Sequence, residues 1–151
     1  MTSTRSSQRL PPPTADQLVG PPPQGLDEQW ALQNFLGKTQ AEARAMSRNS
    51  AITEDFTYLA AEGLCYYLPA ALGYLESEES AGCWDFAHGL MCALATQAGI
   101  FGMRGEPLVF IRRIADYCDT HREKFALGSE DLIDEYLQTI RHAEAGGAGE
   151  L

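Results

Sequence analysis

Two histidines and two cysteines stand at spacings that suit metal binding on helices. His88 and Cys92 are four residues apart. Cys118 and His121 are three residues apart, so each pair would share one helix face. Two such pairs facing each other would supply the ligands of a tetrahedral zinc site. The other interpretation places both cysteines in the core and His121 at a helix end, and because structural zinc sites have tighter ligand spacing, we predict no metal and no cofactor.

Cys92 is also a candidate nucleophile, with His88 as its base and Asp85 one helical turn before that histidine. A reactive thiol needs a partly exposed, electropositive setting. The residues next to Cys92 are instead apolar, namely Met91, Ala93 and Leu94. We therefore favour a protein without enzymatic activity. The alternative is a small metal- or ligand-binding enzyme that uses the region of His88, Cys92 and Cys118.

Acidic and aromatic residues form the remaining candidate site. Three carboxylates lie within four residues of one polar segment, and two large aromatic residues flank it. Neighbouring like charges repel, so a basic partner would relieve this cluster, and exposed aromatics anchor protein interfaces. We therefore predict a partner-binding surface, named here the acidic-loop surface, that consists of Tyr74, Glu76, Glu78, Glu79 and Trp84. The alternative is a solvated connector.

The charge of the chain favours a basic protein as the partner. The net charge is −10, and residues 1–25 carry a net +1, which leaves −11 on the remainder. A surface this negative repels phosphate backbones and anionic lipid headgroups, so we predict neither nucleic acid nor membrane as a partner. The predicted function is therefore that of a non-enzymatic acidic interaction protein, of the immunity or antitoxin type, that neutralises a basic partner.

Composition divides the chain into one domain and two tails. Residues 1–25 contain two triple-proline runs and are predicted to be a disordered tail. Residues 145–151, rich in glycine, are predicted to be a second disordered tail. Residues 26–144 are predicted to form a single all-α domain, a compact bundle of about five to seven helices. We expect a cytoplasmic protein with free thiols, because the chain shows no secretory signal, no long apolar run and no C-x-x-C pair.

The most apolar part of the chain predicts a core helix. Four leucines recur at spacings of four, four and three, which places them on one helical face: Leu64, Leu68, Leu72 and Leu75. Pro69 interrupts this face, and proline inside a helix removes a hydrogen bond and clashes with the preceding turn. We therefore expect either a kink at Pro69 or two helices that meet there.

Other signals locate the starts of neighbouring helices. Thr39 opens a capping box, Pro107 suits the first turn of a helix, and Ser129 suits a cap. An earlier helix should begin near Leu26. Trp30 and Phe35 are its expected anchors in the core.

Residues 56–70 read FTYLAAEGLCYYLPA and resemble a segment of small uncharacterised bacterial helical proteins. In those proteins a string of the type F-T-x-x-A/E-A-F-R-Y-Y-L-P-A follows a helix start that contains G-K, and Gly37-Lys38 stands in the matching place here. The resemblance covers residues 31–76 and departs from the pattern near Gly63-Leu64-Cys65, where the arginine would fall. It implies a bacterial, helical and non-secreted protein. The family has no assigned activity, so the resemblance implies no functional residue.

Overall fold

The computed structural model describes residues 10–129 and 131–149, with side chains up to residue 143. The α-helices are α1 (Ala15–Val19), α2 (Leu26–Phe35), α3 (Gln40–Met46), α4 (Ala61–Glu76), α5 (Trp84–Gly99), α6 (Glu106–Thr120) and α7 (Asp131–Gly149). Two 3₁₀ helices, Ser50–Tyr58 and Glu78–Ser80, lie on either side of α4. These residues contain no strand, so the all-α class is confirmed. Among the described helices, none combines the length and hydrophobicity that crossing a bilayer requires.

Helices α4 and α5 form the centre of the bundle. Helix α4 packs against α3 and α6, and α5 packs against α7 and the 3₁₀ helix Ser50–Tyr58. The leucine face predicted for α4 is fully buried at Leu64, Leu68 and Leu75 and half-buried at Leu72. Full burial of one leucine side chain contributes roughly 1.5–3 kcal/mol, so this face is a main source of stability.

Pro69 lies inside α4 without dividing it. The helix is continuous from Ala61 to Glu76, so the alternative of two separate helices is wrong. A proline inside a helix disturbs the hydrogen bonds of the turn before it. In that turn the carbonyl oxygen of Tyr66 accepts a hydrogen bond from the side-chain amide of Gln40 at 2.8 Å. A donor from another helix therefore satisfies one carbonyl group next to the proline.

Residues 10–25 pack against the domain, contrary to the prediction of a disordered tail. Thr14 begins α1 with a capping box, and Leu18 is fully buried. The carbonyl oxygen of Leu18 accepts a hydrogen bond from the amide of Ala60 at 2.8 Å. Helix α4 approaches so closely that a Cβ atom on Gly63 would lie 2.6 Å from that oxygen. The close approach therefore requires glycine and fixes α1 on α4.

The boundaries of the domain differ from the predicted ones at both ends. The packed region includes residues 10–25 rather than beginning at residue 26. Residues 1–9, the first part of the predicted tail, lie outside the described residues. Helix α7 continues to Gly149, past residue 145, where the second tail was predicted to begin. Residues 150 and 151 also lie outside the described part.

Only one of the two aromatic anchors expected in α2 is buried. Phe35 is fully buried, and its ring centroid lies 5.3 Å from that of Phe56 and 4.7 Å from that of Tyr67. Trp30 is 53% exposed, so its expected role as a core anchor is wrong. Helix α2 buries Ala31 and Phe35, which are four residues apart, and Trp30 lies beside that face.

Candidate functional site

The structure gathers part of the acidic-loop surface around a shallow cleft of about 220 Å³. Tyr74 and Trp84 line the cleft, together with Arg48 and Cys83. Tyr74 is buried, its hydroxyl oxygen lies 3.5 Å from the Cys83 sulfur, and burial raises its pKa to about 12. Trp84 is 37% exposed. Of the two predicted aromatic residues, Trp84 is therefore the one that a partner can reach.

The carboxylates of the acidic-loop surface are all exposed. Glu76 ends α4, and Glu78 and Glu79 belong to the short 3₁₀ helix that follows. The guanidinium of Arg48 pairs with the carboxylate of Glu79 at 2.9 Å. An exposed pair of this kind contributes at most about 1 kcal/mol. The chain itself thus relieves part of the charge repulsion that motivated the prediction of a basic partner here.

The structure does not bring the candidate metal ligands together. His88 and Cys92 lie on α5, where the ring of His88 stacks on Trp84 with centroids 4.4 Å apart. Cys118 is fully buried in α6, and burial raises the pKa of its thiol to about 12. The ring of His121 stacks on the tyrosine one turn before it. Within the described part of the chain, no three His, Cys, Asp or Glu side chains are close enough to share one ion.

A second candidate site lies where α2 meets the 3₁₀ helix Ser50–Tyr58. It is a pocket of about 280 Å³, named here the acidic pocket, and its lining consists of Asp27, Trp30, Asn34, Glu54, Asp55 and Tyr58. The first three residues recur at spacings of three and four, so they share one face of α2. The other three come from the 3₁₀ helix. Three carboxyl groups and two aromatic rings therefore border one cavity.

The acidic pocket carries negative charge that no cation of its described lining neutralises. No positively charged residue is part of its described lining. Burial raises the pKa of Tyr58, and three nearby carboxylates raise it further, those of Asp27, Glu54 and Glu28. Burial also raises the pKa of Asp55, and the charge of Glu54 adds to this shift against the opposing hydrogen bond from Asn34.

Asp55 is the least solvated carboxyl group of the acidic pocket. The residue is only 8% exposed. Its Oδ2 atom accepts a hydrogen bond from the side-chain amide of Asn34 at 2.6 Å. From the residues that the structure describes, its other oxygen receives no hydrogen bond, and no cation pairs with it. A nearly buried carboxylate with an unused oxygen suits a ligand that brings positive charge and hydrogen-bond donors.

Replacing Asp55 with asparagine should raise the free energy of unfolding near neutral pH, because it removes a carboxyl group whose ionised form is disfavoured by burial. The folded-state pKa of Asp55 is raised, so the ionised carboxyl is less favourable in the folded state than in the unfolded state. This gain in the free energy of unfolding should reach its full value above the raised pKa of Asp55. It should vanish as the pH falls well below the ordinary value of 3.8, where both states bind the proton. Urea unfolding of both proteins over this pH range measures the difference.

Glu54→Gln is the matched control for this prediction. It neutralises the neighbouring carboxyl group, which is exposed, so we expect a change within about 0.5 kcal/mol. A loss of stability in Asp55→Asn would mean that the folded chain pairs this carboxylate fully, contrary to the geometry described above. A higher free energy of unfolding in Asp55→Asn would fit a residue that is retained for binding at the expense of stability.

Gln97 of α5 fixes the segment that carries Tyr58. The side chain of Gln97 is buried, and its Nε2 atom lies 2.8 to 2.9 Å from three carbonyl oxygens, those of Phe56, Thr57 and Leu59. An amide nitrogen has two hydrogens, so the three carbonyl groups share two donors. The position of Tyr58 at the acidic pocket therefore depends on this one buried amide.

The acidic pocket was not among the sites predicted from the sequence. Trp30 was expected to be a core anchor, and the carboxyl groups of the pocket come from two elements that are separate in sequence. One signal was available, since Asp27, Trp30 and Asn34 stand at the spacing of a single helix face. A tryptophan on a polar helix face is compatible with a protein interface, where this residue type is enriched.

The chain matches no protein-family model, no curated protein and no solved structure. The resemblance of residues 31–76 to bacterial helical proteins therefore stays a prediction.

Proposed function

We propose that this chain is a non-enzymatic binding protein for a basic protein, and that the acidic pocket receives a cationic side chain of that partner. The observation that carries the proposal is that Asp27, Glu54 and Asp55 border one cavity whose described lining contains no cation. A cationic side chain would offset the poorly solvated charge of Asp55. It would also make charge-assisted hydrogen bonds, which are stronger than neutral ones.

Trp30 supports a protein partner rather than a small inorganic cation. Its side chain is exposed and lines the cavity together with the carboxylates. The face of an indole ring attracts Lys and Arg side chains by about 0.5–2 kcal/mol. Tryptophan is also enriched among the residues that dominate the energy of protein interfaces. The pocket thus combines an aromatic anchor with charge complementarity to a basic side chain.

The charge of the whole chain supports the same class of partner. A net charge of −10 speeds the encounter with a basic protein, most strongly at low salt. Glu76 and Glu78 of the acidic-loop surface contribute to this field. The same field repels nucleic-acid phosphates and anionic lipids, so we propose neither as a partner.

The finer proposal is an immunity or antitoxin-like role, in which the chain covers the cationic site of a basic partner such as a nuclease toxin. An acidic surface suits this role because it competes with phosphate groups for the same cations. We also propose a cytoplasmic location. Its support is that all four cysteines are free thiols, as is usual in a reducing compartment.

Neutralising the acidic pocket should weaken binding of the partner. The partner is recovered by affinity purification of the intact chain from the cell that makes it, and binding is then measured by surface plasmon resonance. We expect a partner of net positive charge. For Asp27→Asn with Glu54→Gln we expect a Kd at least about 10-fold higher, because close charge pairs at interfaces contribute about 1.5 kcal/mol or more.

Two control variants remove the same number of charges elsewhere. Asp131→Asn with Glu135→Gln changes two exposed residues of α7 and should lower only the association rate. Glu76→Gln with Glu78→Gln tests the acidic-loop surface, where Glu79 is retained because it is already paired. An unchanged Kd for the pocket variant, or a loss confined to the acidic-loop variant, would refute the acidic pocket as the binding site. A partner without excess positive charge would refute the proposed class of partner.

A further inference from the structure

The acidic pocket adjoins an apolar groove of about 340 Å³. The walls of the groove come from the end of α1, the segment after it and the loop after α5, and they include Val19, Pro21, Pro23, Phe101 and Met103. Tyr58 lines both the groove and the acidic pocket. The two cavities therefore meet at one residue and offer an apolar surface beside an acidic one.

Hydrogen bonds hold both walls of the apolar groove. On one side, the carbonyl oxygen of Leu18 accepts from the amide of Ala60 at 2.8 Å. On the other side, the amide of Met103 donates to the carbonyl oxygen of Gln97 at 2.8 Å, and the guanidinium of Arg104 donates to the carbonyl oxygen of Met103 at 2.8 Å. A groove with fixed walls loses little conformational entropy when a ligand binds.

The apolar groove keeps large apolar side chains in contact with solvent. Phe101 is 53% exposed, and its neighbour Ile100 is 77% exposed. Exposed apolar side chains gathered beside a cavity mark a site for apolar groups of a ligand. Glu28 lines the groove and is one of the carboxylates that act on Tyr58, so the negative charge extends into the groove. The combined surface thus fits a ligand with a cation next to an apolar group.

We propose that the acidic pocket and the apolar groove together bind one peptide segment of the basic partner, in which an arginine stands close in sequence to a hydrophobic residue. This inference rests on the proposed function and specifies its ligand. The arginine enters the acidic pocket beside Trp30 and Asp55. The hydrophobic residue lies against Phe101 and Met103 in the groove.

Arginine fits the acidic pocket better than lysine does. Its planar guanidinium carries five N–H donors, so one side chain can reach carboxylates from α2 and from the 3₁₀ helix together. The guanidinium also stacks on aromatic faces, which Trp30 provides at this site. The ammonium group of lysine is a more strongly hydrated point charge and loses more hydration on entering a confined site.

Short peptides of defined sequence test this inference on the intact chain. The ¹⁵N-labelled protein is titrated with Ac-Arg-NH₂, Ac-Lys-NH₂, Ac-Leu-NH₂, Ac-Leu-Arg-NH₂ and Ac-Leu-Gly-Arg-NH₂, and the signals of Trp30 and Phe101 are followed by NMR. Ac-Arg-NH₂ should shift the indole signal of Trp30 and bind more tightly than Ac-Lys-NH₂. The two peptides that contain both leucine and arginine are the mixed peptides. The better of them should also shift Phe101, with a Kd at least about 10-fold lower than that of Ac-Arg-NH₂, because burial of the leucine side chain adds to the binding of the arginine.

A pair of variants assigns the gain in affinity to the groove. Phe101→Ser should abolish the advantage of the mixed peptides and leave the Kd of Ac-Arg-NH₂ unchanged. Val109→Ser, at an exposed apolar position of α6, is the matched control. It should change neither the Kd of Ac-Arg-NH₂ nor the advantage of the mixed peptides.

The outcomes separate this inference from the proposed function. Mixed peptides that bind no more tightly than Ac-Arg-NH₂ overturn the inference and leave the acidic pocket as a cation site. Equal binding of Ac-Lys-NH₂ overturns the preference for arginine. If Ac-Arg-NH₂ shifts no signal of the acidic pocket at tens of millimolar, the proposed function itself is wrong.

Discussion

Replacing Gln97 with leucine should lower the free energy of unfolding by about 2–4 kcal/mol. The substitution keeps a side chain of similar size but removes the amide that donates to the carbonyl groups of Phe56, Thr57 and Leu59. Each buried polar group left without a partner costs about 1–3 kcal/mol. Urea unfolding followed by circular dichroism measures the loss. Because the same amide fixes Tyr58, the variant should also bind Ac-Arg-NH₂ more weakly.

Gln97→Glu separates the lost hydrogen bonds from any change in packing. Near neutral pH its carboxylate would face three carbonyl oxygens without a donor, so this variant should be at least as unstable as Gln97→Leu. Burial should hold the pKa of the new carboxyl above its unfolded value, so part of the stability should return as the pH falls through that pKa. Gln138→Leu, at an exposed site of α7, should change the stability by less than about 0.5 kcal/mol. A loss below about 1 kcal/mol in Gln97→Leu would show that the amide does not hold this segment.

Elements whose signals are local in sequence were predictable. The capping box at Thr39 does begin α3, and Pro107 does lie in the first turn of α6. The leucine face of α4 is buried as its spacing indicates. In each case the deciding interaction joins residues within one or two helical turns, so the sequence contains the whole signal.

The N-terminal segment was mispredicted because composition dominated the interpretation. Thr14 and Gln17 match a capping box, which was a local signal for the start of α1. Helix α1 has only five residues, too few to show apolar periodicity, and a proline run lies on each side of it. What orders this segment is the contact of Leu18 with α4, and no local pattern specifies such a contact.

The acidic pocket could not be predicted because it depends on how two distant elements pair. Its carboxylates come from α2 and from the 3₁₀ helix Ser50–Tyr58, and a 3₁₀ helix does not follow the 3.6-residue period that was used to find helices. The outward face of α2 was also ambiguous, since Trp30 and Phe35 are both large and apolar. Packing resolved the ambiguity in favour of Phe35, which is buried together with Ala31 on the face of α2 that meets the core.

Leu18→Ala should destabilise the domain by about 2–5 kcal/mol, the usual range for removing a fully buried leucine side chain. The site has little room to collapse, since the backbone of Leu18 is hydrogen-bonded to Ala60 and lies against Gly63. The cavity should therefore persist and add to the lost burial energy. Thermal and urea unfolding of the intact chain measure the change. Because Val19 and Pro21 line the apolar groove, the variant should also bind Ac-Leu-Arg-NH₂ less tightly.

Leu10→Ala is the matched control, because it makes the same substitution in the same segment at a residue that is 72% exposed. Its effect should stay within about 0.5 kcal/mol. Removal of residues 1–24 should cost at least as much stability as Leu18→Ala, since it deletes the buried leucine together with the cap of α1. If Leu18→Ala and Leu10→Ala have equally small effects, the segment behaves as the solvated tail that its composition indicates. The wall of the apolar groove would then not be fixed, and the advantage of the mixed peptides over Ac-Arg-NH₂ should be lost with it.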